Sequence, residues 1–304
     1  MRRAVIDIGT NTLLLLVVEP TADGGLRRVR DECRFGRLGQ GLDASGELHP
    51  DAIARSLAIC HEYAALLASD GVSAVDVLAT QALREARNSA AFVVPATAIL
   101  GAPITTIAGE REAELAFTAA ARSLPSLAGQ PFVVADVGGG STEIIVTDGA
   151  RVVSAVSVPI GAVRLAERHL AHDPPTADEI AALMTGIDAA LDRGAPTLPT
   201  GITLCASAGT ATTLAALDLA LPGYDPDRVH GHELSPEALT AWTAKLLALS
   251  TAERRALPGM EAPRADVIAA GAAIFARLAL RLAAPSILVC DRGIRWGQAY
   301  LTAS

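Results

Sequence analysis

Apolar residues occur along this chain in short runs of strand length, and one group of three runs occurs twice. The runs lie before Asp7, at 13–18 and at 26–35 in the first group, and at 132–135, 143–146 and 151–158 in the second. Gly-Gly or Asp-Gly separates the second run from the third in each group, as in β-hairpins. Each half of the chain is therefore predicted to begin with a three-stranded meander.

Helical and strand patterns follow each group. Apolar positions three and four residues apart predict a helix over about residues 51–69. The further predicted elements are a strand at 75–79, a helix at 81–91, a strand at 104–107, a helix from Gly109, a strand at 202–206, a helix from about Gly209 and a strand at 286–290. The order strand-strand-strand-helix-strand-helix-strand thus occurs twice, which predicts a duplicated mixed α/β domain.

The turn after the first strand of each group combines an aspartate with glycine and hydroxyl side chains. Asp7 and Asp136, which begin the two turns, are 129 residues apart. Glycine leaves backbone N–H groups accessible, so such a turn can bind phosphate. One turn alone is better explained as a hairpin in which glycine supplies a positive φ. Two such turns at equivalent places in a duplicated domain favour phosphate binding. The hydroxyl donors are Thr10, Thr12, Ser141 and Thr142.

Several charged residues near these turns are candidates for chemistry. Asp7 and Asp136 end strands, where α/β sheets bind ligands, although aspartate also forms ordinary turns. Glu143 begins an otherwise apolar strand, and oxygen-rich surroundings of this kind suit Mg²⁺ better than zinc. Arg84 and Arg87 lie near a strand-to-helix junction. They fit either a solvated helix face or a guanidinium pair that binds phosphate.

A helix that begins at Gly109 has glutamates at positions 110, 112 and 114. Acidic residues in a first helical turn are stabilised by the helix dipole in any protein. From the residues alone, that explanation is the better one for all three glutamates.

Composition narrows the class of protein. The chain has 304 residues, a formal net charge of −8 and a single lysine, with 51% hydrophobic but only 3% aromatic residues. This length suggests about two domains with an aliphatic core, and the acidic balance argues against a nucleic-acid binder. The four scattered cysteines suggest buried, reduced thiols, and no membrane or export segment is visible. We therefore expect a soluble cytoplasmic protein.

Eight ordered motifs resemble those of the exopolyphosphatase/guanosine pentaphosphate phosphohydrolase family, and they span nearly the whole chain. The motifs are DIGTNT (7–12), ATQALR (79–84), GEREA (109–113), DVGGGSTE (136–143), PIGAVRL (159–165), AGTAT (208–212), RADVI (264–268) and DRGIRWG (291–297). The resemblance implies two actin-like, ribonuclease-H-like α/β domains with mixed sheets flanked by helices and an active site in the cleft between them. We expect one lobe at 1–124, to which 295–304 returns, and another at 125–294.

The resemblance also implies roles for individual residues. Glu112 matches the family's catalytic glutamate, which would act as general base, and Glu143 is the second catalytic candidate. Asp136 and Glu143, with Asp7, are the predicted ligands of Mg²⁺ or Mn²⁺, and we further expect stimulation by K⁺ and a homodimer. The predicted phosphate-binding residues are Gly9, Thr10, Asn11, Thr12, Arg84, Gly138, Gly139, Gly140, Ser141, Thr142, Gly209 and Thr210.

The implied reaction is hydrolysis of the terminal phosphoanhydride of inorganic polyphosphate. The chain departs from the family in reading Arg111-Glu112-Ala113-Glu114 where Glu-Glu-Ala-Arg is common, which predicts altered local electrostatics. It also lacks the helical C-terminal region of long members, which predicts a preference for short polymers. Guanosine pentaphosphate remains open as the substrate. An actin-like kinase and a non-enzymatic nucleotide sensor are further alternatives, although the retained Glu112 and Glu143 argue against a sensor.

Overall fold

A computed structural model of the chain describes residues 1–22 and 24–302. It divides into two compact units: the first comprises Met1–Ala119 together with the chain from Ile294 onward, and the second comprises Ala120–Gly293. Within the described residues, no helix combines the length and apolarity required to cross a membrane.

Each unit contains one sheet with helices. The strands are β1 (Arg3–Ile8), β2 (Leu13–Pro20), β3 (Leu26–Arg34), β4 (Ala74–Ala79), β5 (Ile104–Thr106), β6 (Phe132–Val137), β7 (Thr142–Thr147), β8 (Val152–Val158), β9 (Thr203–Ser207), β10 (Glu233–Leu234) and β11 (Ile287–Cys290). The helices are α1 (Leu42–Ser45), α2 (Pro50–Ser69), α3 (Gln81–Glu85), α4 (Ala90–Leu100), α5 (Gly109–Ser123), α6 (Ala162–His169), α7 (Ala177–Gly194), α8 (Ala208–Asp218), α9 (Pro226–Val229), α10 (Pro236–Ala248), α11 (Thr251–Arg255), α12 (Ile268–Leu282) and α13 (Ile294–Thr302).

The two sheets share one topology. The first has the order β3-β2-β1-β4-β5, and the second has β8-β7-β6-β9-β11 with β10 added at its edge. In both, the first three strands are antiparallel and the next two run parallel to the first strand. The predicted fold class, a duplicated mixed α/β domain with helices on its sheets, is confirmed. The predicted cleft position of the active site stays a prediction.

One predicted helix is wrong in its extent. The segment predicted as a helix at 81–91 contains α3 and the start of α4, and the chain is extended at Ala86 between them. The break coincides with a tertiary contact, in which the Asn88 side chain hydrogen-bonds both the backbone N–H (2.8 Å) and the carbonyl (3.1 Å) of Leu48.

The boundary between the units lies inside α5, after Ala119, rather than after residue 124. The last turn of α5 belongs to the second unit because Ser123 contacts two residues of that unit. Its carbonyl lies 3.1 Å from His230 Nε2, and its hydroxyl lies 3.9 Å from the Cys290 thiol. At the other end, α13 returns to the first unit from Ile294.

Helix α13 packs tightly within the first unit. Trp296 is buried, and the buried Arg295 pairs with Asp31 of β3. A Cβ added at Gly297 would collide with the backbone carbonyl of Leu115 in α5. The absence of a side chain at Gly297 therefore allows α13 to lie directly against the helix that carries Glu112.

We expect Gly297→Ala to lower the free energy of unfolding by about 1–3 kcal/mol, because a backbone carbonyl cannot move aside as a flexible side chain can. Thermal unfolding measures the effect. The matched control is Gly194→Ala at the end of α7, where the new Cβ would lie 3.5 Å from Val158, an ordinary contact. Equal unfolding temperatures for Gly297→Ala and wild type would contradict the close contact.

Candidate active site

The first glycine turn connects β1 to β2. Asp7 lies near the end of β1, opposite Leu14 on β2 and Leu78 on β4. After it, the Gly9 N–H donates to the Thr12 carbonyl at 2.9 Å. A Cβ at Gly9 would lie 3.2 Å from that same oxygen, and the φ angle of Gly9 is not in the left-handed region. Close backbone approach, rather than a positive φ, is the reason for glycine here.

The second turn, between β6 and β7, repeats this geometry. The Gly138 N–H donates to the Ser141 carbonyl at 3.0 Å. A Cβ at Gly138 would also lie 3.2 Å from that oxygen, again without a left-handed φ. The explanation of these two glycines as suppliers of positive φ is therefore wrong. Because the sequence predicts that both turns bind phosphate, we refer to residues 9–12 as the first phosphate loop and residues 138–141 as the second phosphate loop; phosphate binding itself stays a prediction.

A polar row crosses the second sheet where its parallel strands end. Glu143 lies opposite both Asp136 and Ser157, while Ser207 lies opposite both Asp136 and Cys290. Directly opposed residues project from the same face of a sheet. The Ser157 hydroxyl donates to Glu143 Oε1 at 2.6 Å. Asp136 and Glu143 are thus held side by side beside the second phosphate loop.

This row has the chemistry of a site for a hard cation. Ser207 is 2% exposed, and its buried hydroxyl makes no hydrogen bond with any residue in the described parts of the chain. Mg²⁺ is commonly held by one or two carboxylates, with waters and substrate phosphates as its other ligands. The pair formed by Asp136 and Glu143 fits that pattern. Among residues 1–22 and 24–302, no cluster of three or more His, Cys, Asp or Glu residues forms a complete metal site.

The glutamates at the start of α5 differ in environment. Glu112 is 4% exposed, whereas Glu110 and Glu114 are exposed. Arg84 lies beside Glu112, with 3.4 Å between Nη2 and Oε2. Burial of a carboxylate is costly unless the charge is paired. First-turn stabilisation therefore accounts for Glu110, and a surface ion pair with Arg111 accounts for Glu114, whereas the buried Glu112 requires another explanation.

Arg84 is fixed by several contacts. Its Nη1 donates to the Ile107 carbonyl at 2.6 Å, and its Nη2 donates to the side chain of Gln81. Gln81 is buried and also hydrogen-bonds Glu85. Gln81 belongs to the motif ATQALR, and nothing in its spacing predicts this contact. The guanidinium is therefore held in place next to Glu112.

Two other charged residues have surface roles. Arg87 is exposed and contacts the Ser45 carbonyl (2.9 Å) and Glu47 (3.3 Å), so it does not form a pair with Arg84. Arg111 and Glu114, which depart from the common family order, bind one another at 2.5 Å. Their exchanged charges therefore offset each other on the surface of α5.

Gly209 and Thr210 lie in the first turn of α8. The guanidinium of Arg264 lies against Gly209 so closely that a Cβ there would overlap it, and Arg264 also binds Glu261 at 2.5 Å. Thr210 is buried where α8 meets Gly271 of α12. The guanidinium of Arg264 thus covers Gly209, a contact that residue spacing does not predict. Thr210 packs between α8 and α12.

Cys60 and His230 have structural environments. All four cysteines are free thiols, and all but Cys33 are buried. Burial raises the pKa of the Cys60 thiol to about 12, which makes it a poor nucleophile. His230 accepts from the Asp291 N–H through Nδ1, at 3.3 Å, so its Nε2 donates to the Ser123 carbonyl. Both ring nitrogens are thereby satisfied.

Known proteins resemble the chain over nearly its full length. The sequence pattern of the Ppx/GppA phosphatase family matches residues 17–303. "Exopolyphosphatase 2" of Mycobacterium tuberculosis is 39% identical over 291 residues, which cover 92% of this chain and 91% of that protein. The crystal structure of the Aquifex aeolicus family member superposes with a TM-score of 0.83 at 31% identity, covering 100% of this chain and 97% of that one. An exopolyphosphatase from Cytophaga hutchinsonii gives a TM-score of 0.88 at 25% identity, covering 99% and 97%.

Proposed function

The chain belongs to the Ppx/GppA phosphatase family, and from this premise we propose that it is an exopolyphosphatase. It hydrolyses the terminal phosphoanhydride bond of inorganic polyphosphate and releases orthophosphate. The observation that carries the proposal beyond family membership is the environment of Glu112. It is the buried member of the three glutamates at the start of α5, and it lies against a fixed arginine.

In the proposed reaction, Glu112 accepts a proton from the water that attacks the terminal phosphorus. A carboxylate within hydrogen-bond reach of that water can serve as the general base. Arg84 contributes positive charge near the transferred phosphoryl group. Loop N–H groups other than those of Gly9 and Gly138, which bind carbonyls of their own loops, donate to phosphate oxygens. The reaction requires no covalent enzyme intermediate.

The proposed cofactor is Mg²⁺ or Mn²⁺, held by Asp136 and Glu143. Bound there, the ion would neutralise phosphate charge and polarise the bond that breaks. Ser157 keeps Glu143 in position through the 2.6 Å hydrogen bond, and the Ser207 hydroxyl adds an oxygen to the same row. We also propose that Asp7 takes part in binding this ion.

Measuring the rates on three substrates in parallel tests this function. We expect orthophosphate release from tripolyphosphate, from long-chain polyphosphate and from guanosine pentaphosphate, with kcat/KM highest on the short polymer. The net charge of −8 and the single lysine give the surface little to attract a long polyanion. A kcat/KM that increases steadily with chain length would contradict the preference. A much higher value on guanosine pentaphosphate would instead favour that nucleotide as the substrate.

The same assay separates the other two alternatives. A kinase of the actin-like class would transfer phosphate to an added acceptor such as a sugar or acetate, and would release little orthophosphate without it. A nucleotide sensor would bind its ligand without turnover. We propose neither, because a buried base beside an arginine serves hydrolysis by water directly.

Three further properties belong to the proposal: a homodimer, stimulation by K⁺ and a cytoplasmic location. Sedimentation velocity measures the oligomeric state, and a potassium titration at constant ionic strength separates a specific effect of K⁺ from screening. Fractionation of the producing cells tests the location.

A further inference from the structure

The carbonyl groups of the second phosphate loop are bound by the start of α6. The Ala162 N–H donates to the Gly138 carbonyl at 2.9 Å. The Gly139 carbonyl accepts from both the Val163 N–H (2.9 Å) and the Arg164 N–H (3.0 Å). The first N–H groups of a helix have no partners within the helix. In α6 these donors bind the loop, so they are not available to substrate.

Arg164 extends this arrangement with its side chain. Its Nε–H donates to the Gly140 carbonyl at 2.8 Å. The loop and α6 also approach closely at Gly161, where a Cβ would lie 2.5 Å from the carbonyl carbon and oxygen of Gly139. Three consecutive loop carbonyls, at 138, 139 and 140, thus have donors from one segment of chain.

The direction of these carbonyls determines where the loop N–H groups point. A trans peptide unit is planar, and its C=O and N–H point in opposite directions. Because the carbonyls of Gly138, Gly139 and Gly140 are directed at α6 and Arg164, the N–H groups of Gly139, Gly140 and Ser141 are directed away from them. Successive N–H groups on one side of a loop form an anion-binding concavity.

The first phosphate loop is held in a related way by backbone alone. The Thr10 carbonyl accepts from the Gly39 N–H and the Asn11 carbonyl from the Arg37 N–H, both at 2.9 Å. Arg37 has a φ of 50°, a conformation that is strained for a residue with a side chain. Both loops of the duplicated domain therefore have carbonyls bound by backbone N–H groups from later in the chain, and in the second loop the Arg164 side chain binds a further carbonyl.

We propose that Arg164 is a positioning residue, which fixes the Gly140–Ser141 peptide so that its N–H points at a phosphate oxygen of the substrate. This inference rests on the proposed exopolyphosphatase function. The Gly140–Ser141 peptide follows three consecutive glycines, and glycine has many accessible backbone conformations, so the guanidinium contact selects the one that binds phosphate. The residue acts on the loop and not on the reacting atoms.

The test measures binding of tripolyphosphate by calorimetry in a Glu112→Gln parent, which prevents turnover. Adding Arg164→Gln is expected to raise the dissociation constant about tenfold, the size of one well-placed hydrogen bond to a charged group. Arg164→Lys keeps the charge but cannot place a donor at the Nε position, so it is expected to recover less than half of the loss on a logarithmic scale. Arg168→Gln, one turn further along α6 and exposed, is the matched control and is expected to bind as the parent does.

Two further readouts separate positioning from other roles. The loss in Arg164→Gln is expected to persist at high ionic strength, and the unfolding temperature is expected to stay close to that of the parent. Full recovery by Arg164→Lys would show that charge alone matters and would overturn the proposal, as would an unchanged dissociation constant in Arg164→Gln. Failure of the parent itself to bind tripolyphosphate would overturn the proposed function first.

Discussion

Replacing Glu112 with glutamine is expected to lower kcat on polyphosphate by about 10²–10⁴-fold, the usual contribution of a general base. The substitution keeps the shape of the side chain and its capacity for hydrogen bonding with Arg84, which lies 3.4 Å away. What it removes is the group that accepts the proton of the attacking water. KM is expected to hold or to fall slightly, because one negative charge leaves a site that binds a polyanion.

The matched controls are Glu110→Gln and Glu114→Gln in the same helix. Both side chains are exposed, and we expect each substitution to change kcat by less than about twofold. Glu110 is a first-turn acid and Glu114 forms a surface ion pair with Arg111, and contributions of both kinds are small. If either control is the inactive variant, the base is assigned to the wrong glutamate. If all three variants retain activity, Glu143 is the next candidate.

Removal of the divalent cation is expected to abolish turnover, and Asp136→Asn is expected to reduce kcat by about 10²-fold or more. A bound cation contributes several kcal/mol to stabilisation of phosphoryl transfer, and Asp136 forms half of the carboxylate pair on the second sheet. The concentration of Mg²⁺ that gives half-maximal activity should also rise in this variant. A Mg²⁺ titration at saturating tripolyphosphate measures both effects.

Ser157→Ala, with Asp192→Asn as its control, tests whether the orientation of Glu143 affects cation binding. The Ser157 hydroxyl orients Glu143 from the neighbouring strand. Its loss is expected to lower cation affinity about tenfold, as is usual for residues that hydrogen-bond a metal ligand. Asp192 is an exposed acid paired with Arg281 on the outside of the same unit, and its neutralisation is expected to leave the titration unchanged. Full activity after complete chelation would contradict the metal assignment.

The duplicated fold could be predicted from the sequence because its signals are local. Glycine-containing turns at a fixed separation of 129 residues, between apolar runs of strand length, indicate the same hairpin in both halves. The structure bears this out in detail, since Gly9 and Gly138 donate to equivalent carbonyls at nearly the same distance. The pair of Asp136 and Glu143 also follows from one hairpin register.

The choice among the three glutamates of α5 could not be made from sequence pattern alone. Their spacing is that of ordinary first-turn acids, and only the resemblance to a family indicated Glu112. Burial separates them, and the buried Glu112 is paired with Arg84, which is 28 residues earlier in the chain. Contacts at such separations have no local signature.

The donors behind the phosphate loops were missed for the same reason. Arg164 and the N–H groups of α6 lie more than twenty residues beyond the second loop, and Gly39 also lies more than twenty residues beyond the first. Likewise, the break between α3 and α4 coincides with Asn88 pairing with the backbone of Leu48, forty residues away. These residues gain their roles only when the chain has folded.

The most direct test of the account is hydrolysis of tripolyphosphate in water enriched in ¹⁸O, with the products analysed by mass. Attack of water on the terminal phosphorus predicts one ¹⁸O atom in the released orthophosphate and none in the remaining pyrophosphate, and Glu112→Gln should slow the appearance of that label by the same factor as kcat. Label in the pyrophosphate product, or orthophosphate formation that Glu112→Gln leaves unchanged, would contradict it.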